Sequence, residues 1–275
     1  MSVSGKAKLA GVIGWPVAHS LSPRLHEFWL TAHGIDGAYV PLPVPREDFA
    51  RVIAALRRCG FAGVNVTVPH KESAFAIAQT HDEAATASGA VNLLLFKDGR
   101  IEGRNTDAAG LAASLSEELG KNAVAGKDVA ILGAGGAARA AVLALTGLGA
   151  KTIRLVARNR KRAEALGPNV FDWNDAKALD GVSLLINTTS AGMEGQAALA
   201  VNLDALPVTA VVADVVYNPL DTALLIAARA RGHRTVDGLG MLMHQAAPAF
   251  EAFYGERPQV TPALRAELKK ALRHG

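Results

Sequence analysis

The stretch DVAILGAGGAAR, Asp128 to Arg139, decides the fold. Five mostly apolar residues, Asp128–Leu132, read as a buried strand and run straight into Gly133-Ala-Gly135-Gly136-Ala-Ala138. An amphipathic stretch, Gly136–Leu148, follows as a helix. A G-x-G-x-x-A pattern carries meaning only between a strand and a helix, and it has both here. Gly133 makes the tight turn, Gly135 lets a pyrophosphate approach the backbone, and Ala138 permits close helix–strand packing. The free N–H groups and positive dipole end of the helix are suited to phosphates. The next strand, Thr152–Ala157, arrives on schedule, so the pattern predicts dinucleotide binding. Its end names the dinucleotide. An NAD site wants an acid there for the ribose 2′-hydroxyl, whereas this chain has Arg158-Asn159-Arg160-Lys161-Arg162 and no acid before Glu164. Lys and Arg at a helix start oppose the macrodipole, and a 2′-phosphate relieves that cost. Arg158 and Arg162, four residues apart, are expected on one helix face and able to close on one phosphate. The expected cofactor is NADP.

Outward from this unit, short β-branched runs alternate with amphipathic stretches over the whole chain. Ser183–Asn187 and Ala210–Val216 continue the second half as strands separated by helices, and Leu239–Tyr254 and Pro262–Arg273 form a helical tail. In the first half, Leu9–Gly14 reads as a strand, and Ser22-Pro23 opens a helix with Ser22 as N-cap. Ala38–Val44 carries two prolines and is an edge strand. Arg46–Cys59 is helical, Gly63–Val68 alternates as a strand, and Pro69 starts a helix through about Gln79. Val91–Phe96 is a strand running into Asp98-Gly99, a hairpin signal. The first half therefore reads β-α-β-α-β-α-β with parallel pairing dominant. The helix Ala108–Leu119 joins the halves.

Two hundred and seventy-five residues suit one or two domains, and 50% hydrophobic with 20% charged residues excludes a disordered chain. Aromatic residues make up 5%, so the core is built from Ala, Val, Leu and Ile. Mean hydropathy is positive at +0.19, yet no long uncharged apolar stretch suits a membrane span. The net charge of +4 is modest and no basic face alternates with aromatics, which argues against nucleic acid as a partner. One cysteine, Cys59, excludes an internal disulfide and a cysteine zinc site, and the simplest compartment is the reducing cytoplasm. No histidine spacing suits a metal, and none is expected.

Polar residues gather where the first-half strands end, the usual place for ligands in open α/β sheets. His19-Ser20-Leu21-Ser22-Pro23 follows the first strand, and Asn65-Val66-Thr67-Val68-Pro69-His70-Lys71 follows the third. Gly89-Ala90-Val91-Asn92 precedes the fourth, and Asn105-Thr106-Asp107 precedes the joining helix. Each has a structural reading: Ser22 and Asp107 as caps, Asn92 as a turn residue, the histidines as core. Lys71 is harder to dismiss, because a helix's first turn disfavours a cation.

With these residues in view, the chain resembles the shikimate dehydrogenase family. GWPVAHSLSP, NVTVPHK, GAVN, NTD, GAGGAAR, NTTSAGM, DVVYNP and DGLGMLMHQ occur in that family's order, from about Gly11 to Glu251. The resemblance implies NADPH-dependent reduction of 3-dehydroshikimate to shikimate in aromatic amino-acid biosynthesis. It implies an α/β fold of two domains: a mostly parallel N-terminal substrate domain, residues 1–107 with the tail 240–275, and a Rossmann-type NADP domain, residues 108–239. Ser20 and Ser22 would bind the substrate carboxylate, and Thr67, Asn92, Asp107 and Gln245 its hydroxyls, with Tyr217 close by. Lys71 and Asp107 are the implied catalytic pair. Gly133, Gly135, Gly136 and Ala138 would hold the pyrophosphate, and Arg158 and Arg162 the 2′-phosphate. Asn187, Thr188 and Thr189 would flank the nicotinamide-side ribose, with Gly238 and Met241 against the nicotinamide. Ala157, Asn159, Leu93, Arg104 and Pro248 depart from the family's commonest residues without removing a catalytic group.

Hydride transfer to a ketone builds negative charge on oxygen, which an adjacent cation or proton donor stabilises. Lys71 and Asp107 suit that work, and which of them moves the proton is left open. Two rival readings stand: a quinate/shikimate dehydrogenase of the same fold, and a non-catalytic NADP-binding sensor. The missing ribose-binding acid opposes an NAD-dependent quinate enzyme, and the Lys71–Asp107 pair opposes the sensor. The substrate is the only partner expected, with a homodimer left open.

Overall fold

The computed structural model describes residues 3–274, so residues 1, 2 and 275 of the expected domain ranges lie outside it. The chain divides into two compact units, one of Met1–Thr106 with Met243–Gly275 and one of Asp107–Leu242. No helix among the described residues is long and apolar enough to cross a membrane.

The first unit opens with β1 (Lys8–Gly14), α1 (Ser22–Ala32), β2 (Gly37–Pro43), α2 (Phe49–Arg58), β3 (Phe61–Val66) and α3 (Lys71–Ile77). It continues through β4 (Thr80–His81), α4 (Glu83–Ser88), β5 (Leu93–Lys97) and β6 (Arg100–Arg104). Its sheet order is β2-β1-β3-β5-β6-β4, which leaves proline-bearing β2 at an edge as its composition requires. Pairing is parallel for β1 with β2 and with β3, and for β4 with β6. It is antiparallel for β3 with β5 and for β5 with β6. The unbroken β-α alternation expected of the first half therefore gives way to a hairpin. Asp98 and Gly99 both take positive φ, 50° and 73°, the backbone that a two-residue turn between right-twisted strands needs. One sheet face packs Ile13, Val64, Val66 and Leu94 against Phe49 and Ile53 of α2 and Ala74 of α3.

Helix α1 corrects the sequence reading. Leu21 is its N-cap and makes no side-chain cap bond, while Ser22 is the first helical residue. The Ser22 N–H instead donates to the Ser20 hydroxyl at 3.3 Å, so the local turn rests on Ser20. The α3 start is likewise shorter than expected, with Lys71 its first residue.

The second unit comprises α5 (Asp107–Leu119), β7 (Asp128–Leu132), α6 (Gly136–Gly147), β8 (Thr152–Val156), α7 (Arg160–Glu164) and β9 (Val170–Phe171). Then come β10 (Leu184–Asn187), β11 (Val211–Asp214), α8 (Ala223–Ala230) and β12 (Thr235–Val236). Every pair in this sheet is parallel, in the order β12-β11-β10-β7-β8-β9. Numbered within the unit this is 3-2-1-4-5-6 read from the other edge, the order of dinucleotide-binding sheets. Alanines make the helix–sheet contact close: Ala138, Ala141 and Ala144 of α6 are buried with Val129, Ile131 and Leu184. Helix α9 (Leu239–Tyr254) contains the unit boundary, and α10 (Pro262–His274) closes the chain.

In the first unit, His26 is fully buried in an aromatic box. It stacks on Tyr39 at 3.8 Å, with Phe250 5.7 Å and Phe253 6.2 Å away, and among the described residues neither ring nitrogen has a hydrogen-bond partner. Burial alone lowers its pKa from 6.5 to about 3. The unfolded chain takes up this proton below pH 6.5 and the folded chain does not, so stability is lost as pH falls through 6.5. We predict that His26→Leu removes this slope. By denaturant titration, the loss of unfolding free energy between pH 7 and pH 5 should be about 2 kcal/mol smaller in the variant. Equal slopes in both proteins would mean that the ring protonates within the fold.

Candidate active site

In the first unit the hairpin serves the site. Because β5 and β6 run antiparallel, the start of β5 and the end of β6 lie at the same sheet edge as the carboxyl end of β3. That edge gathers Asn65, Asn92 and Thr106. The Asn92 amide donates to the Thr106 hydroxyl at 2.9 Å and its carbonyl accepts from the Thr106 N–H at 2.9 Å. Thr106 donates to the backbone carbonyl of Gln245 at 2.8 Å, and Asn92 reaches the Gln245 side chain at 3.4 Å. Asn65 donates to the Asn92 carbonyl and accepts from the Tyr39 hydroxyl. Asp107 follows Thr106 in the chain, is 6% exposed and begins α5.

Lys71, half-buried, enters from the turn after β3. The Thr67 N–H donates to Ile13, the His70 N–H to Thr67, and the Val91 N–H to the Lys71 carbonyl at 3.0 Å. The last bond ties the head of α3 to the segment carrying Asn92. His70 is buried, stacks on Phe49 at 4.7 Å and donates from Nε2 to the Val44 carbonyl at 2.7 Å. Burial lowers its pKa, so the ring is a neutral peg for the turn that presents Lys71. At the end of β1, a Cβ on Gly14 would stand 2.5 Å from Thr67 Cγ2, so that glycine is what lets Thr67 sit there. Ser20 and buried Ser22 stand at the head of α1.

The second unit places its residues at the carboxyl ends of β7, β8, β10 and β11. Gly133 leaves β7 with φ +112°, and a Cβ there would lie 2.9 Å from Thr188 Oγ1. No L side chain fits that turn without strain. A Cβ on Gly135 or Gly136 would meet nothing within 4 Å, so the backbone at the head of α6 is open to a ligand, and no side chain caps it. Uncapped N–H groups over open space suit a pyrophosphate. Ala138 is fully buried beneath them.

At the end of β8 the basic run divides. Arg160 pairs with Glu164 at 3.1 Å and with Asp172 at 3.6 Å. Arg158 and Arg162 are exposed and, among the described residues, have no carboxylate partner, which fits a 2′-phosphate. They do not share a helix face as expected, because α7 begins at Arg160 with Asn159 as its N-cap. Arg158 belongs to the preceding loop.

Beyond β10, Thr188 donates to the Leu132 carbonyl at 2.6 Å, and Thr189 donates through both its N–H and its hydroxyl to Asn187 Oδ1. Asn187 in turn donates to Asp214 at 2.9 Å. Asp214, 2% exposed, has its pKa raised from 3.8 to about 6, burial outweighing the donors around it. Tyr217 lies three residues further on and is half-buried. Gly238 packs so tightly on the Val215 and Val216 carbonyls that a Cβ would overlap them, and Met241 packs against the unit's core. Sequence reasoning passed over Asn65, Thr106, His70, Asp214 and Thr222. The first three, and Asp214 as the first residue of DVVYNP, stood in quoted motifs beside stronger candidates, and nothing local marks Asp214 as a hub.

A family model for the shikimate dehydrogenase substrate binding domain matches residues 12–94. The NADP(+) shikimate dehydrogenase of Paramagnetospirillum magneticum is 54% identical over 96% of this chain and 99% of its own length. That of Methylobacterium radiotolerans is 53% identical over 93% and 94%. The crystal structure of shikimate 5-dehydrogenase from Thermus thermophilus, in complex with NADP(H) and shikimate, superposes with a TM-score of 0.85 at 35% identity. That superposition covers 97% of this chain and 99% of the other. With a substrate-domain match over residues 12–94 and likeness to these enzymes along nearly its whole length, the chain belongs to the shikimate dehydrogenase family.

Proposed function

We propose that the chain is an NADP-dependent dehydrogenase that interconverts 3-dehydroshikimate and shikimate, in aromatic amino-acid biosynthesis. The observation that carries this is 54% identity to an NADP(+) shikimate dehydrogenase over nearly the full length of both chains. NADP supplies the hydride acceptor for oxidation and, reduced, the donor for reduction. Gly133, Gly135, Gly136 and Ala138 form its pyrophosphate cradle, and Arg158 and Arg162 take the 2′-phosphate. Asn187, Thr188 and Thr189 flank the nicotinamide-side ribose, and Gly238 and Met241 the nicotinamide. Residues 1–107 with 240–275 act as the substrate domain and 108–239 as the cofactor domain. Ser20 and Ser22 hold the substrate carboxylate, Thr67, Asn92, Asp107 and Gln245 its hydroxyls, with Tyr217 beside them. We place the activity in the reducing cytoplasm, where the exposed thiol of Cys59 stays unpaired.

Purified protein should oxidise shikimate with NADP+ at a kcat/KM more than about tenfold above that for quinate or for NAD+. Preference for quinate with NAD+ would replace the reading with a quinate dehydrogenase. NADP+ binding without turnover would leave a binding module.

Lys71 and Asp107 are the pair that moves the proton at the reacting oxygen. Lys71→Ala should lower kcat about 10²–10⁴-fold with little change in KM. Asp107→Asn should cost a comparable factor, and the double variant should fall little below the worse single one, because the pair acts as a unit. A Lys71→Ala enzyme within a few-fold of the unaltered rate would remove the lysine from the chemistry.

Cofactor choice rests on Arg158. Exchange for Asp repels the 2′-phosphate and offers a free 2′-hydroxyl an acceptor. NADP affinity should drop roughly ten- to a hundredfold while NAD affinity holds or rises, and the contrast should shrink in high salt because the group is exposed. Measured as kcat/KM for both cofactors, an unchanged ratio would reduce the basic run to a solvated helix start.

A further inference from the structure

We infer that Asp214 is a positioning residue for the loop 187–191, holding it in the shape that receives the nicotinamide half of the cofactor. This rests on the NADP reading above. Asp214 ends β11 and is surrounded by donors. Its Oδ1 accepts from Asn187 Nδ2 at 2.9 Å and from the Val216 N–H at 3.0 Å, and its Oδ2 accepts from the Thr222 hydroxyl at 2.8 Å. A carboxylate only accepts, so it dictates which way the Asn187 amide faces. With Nδ2 turned to Asp214, Asn187 Oδ1 must face the loop. There it receives the Thr189 N–H at 2.9 Å and the Thr189 hydroxyl at 2.8 Å. Thr189 Oγ1 then accepts from the Ala191 N–H at 3.2 Å. A reversed amide would set N–H against N–H at the loop and oxygen against oxygen at the carboxylate. One buried charge therefore orders the loop beyond its own strand.

The same carboxylate fixes two further parts. Its bond to Val216 sets the start of the segment bearing Tyr217. Its bond to Thr222 orients the residue that caps α8, since Thr222 Oγ1 also accepts from the Leu225 N–H at 3.3 Å. Stability alone does not call for a charge here. Among the described residues no Lys or Arg pairs with Asp214, and burial of an unpaired carboxylate is unfavourable, as the upward shift of its pKa to about 6 reflects. The donor set, with no charged group contributing to the shift, is what keeps it in place at neutral pH.

The test separates the two halves of the cofactor. NADP+ and adenosine 2′,5′-bisphosphate, which carries the adenine and 2′-phosphate but no nicotinamide, are titrated against the unaltered protein, Asp214→Asn and Asp214→Ala. Asp214→Asn keeps an acceptor for Asn187 and Val216 and turns its amide to the Thr222 hydroxyl, which can accept. NADP+ should bind about three- to tenfold more weakly to it, and about ten- to a hundredfold more weakly to Asp214→Ala, while the bisphosphate binds all three alike. If the alanine variant does not fold, the asparagine variant carries the test. Equal weakening of both ligands would reduce Asp214 to a general support of the unit and overturn the inference. So would an Asp214→Asn protein that binds NADP+ as the unaltered protein does. Failure of the unaltered protein to bind NADP+ would sink the functional reading as well.

Discussion

The close approach of two strand ends governs the second unit. β7 lies between β8 and β10, at the point where strand order reverses, and the chain leaving β7 passes within contact of the chain leaving β10. Gly133 permits this by having no side chain: a Cβ would press on Thr188 Oγ1, whose hydroxyl is committed to the Leu132 carbonyl. A larger residue would displace either the turn or that bond. With Gly133 in place, α6 starts over open space and no side chain caps its first N–H groups. The open head of α6 and the path of the loop after β10 both depend on one turn that only glycine makes without strain.

The first unit reaches a comparable edge by different means. Its sheet turns antiparallel after β3, and the hairpin carries Asn92 and Thr106 back to the edge where β3 ends. Both units then rely on a buried asparagine held by a fixed neighbour. Asn92 is oriented by a neutral partner, the backbone N–H and hydroxyl of Thr106, and Asn187 by the charge of Asp214. The difference shows in acid. Neutral bonds around Asn92 do not titrate, whereas Asp214 with its pKa near 6 becomes easier to accommodate, and worse at accepting three donors, as pH falls through that value. Acid therefore favours folding at this residue while loosening the geometry it imposes.

How much of this was legible in the sequence depends on how local the cause is. β7 spans Asp128–Leu132 and α9 spans Leu239–Tyr254 as expected, because an apolar run and a long amphipathic pattern are local signals. The turn at Asp98-Gly99 was readable too. Its second strand, Arg100–Arg104, was not, since RIEGR carries charges and a glycine and gains its pairing only from β5. Ser22 looked like a cap because Ser before an apolar run usually is one; here the helix begins one residue earlier, and the hydroxyl that accepts is that of Ser20. Asp214 accepts from Thr222, eight residues on, and from Asn187, 27 residues before it, so no window of sequence holds the network. The strand order that joins them is needed first.

The basic run at the end of β8 shows how the chain keeps a positive field without weakening a helix. Helix starts favour a carboxylate cap, and the chain uses one elsewhere: Asp82 caps α4 by accepting from the Ala85 N–H at 2.7 Å. At α7 the cap is Asn159, accepting from the Arg162 N–H at 3.0 Å. An aspartate there would complement the macrodipole better, but its charge would stand between Arg158 and Arg162 and neutralise both. Asparagine supplies the same acceptor geometry with no charge. Arg160, the cation directly after the cap, is meanwhile paired with Glu164 and Asp172. What is left facing solvent is Arg158, Lys161 and Arg162, none with a carboxylate partner among the described residues, beside a neutral cap. The neutral cap thus supplies the acceptor that the start of α7 needs without cancelling the positive charge of the run.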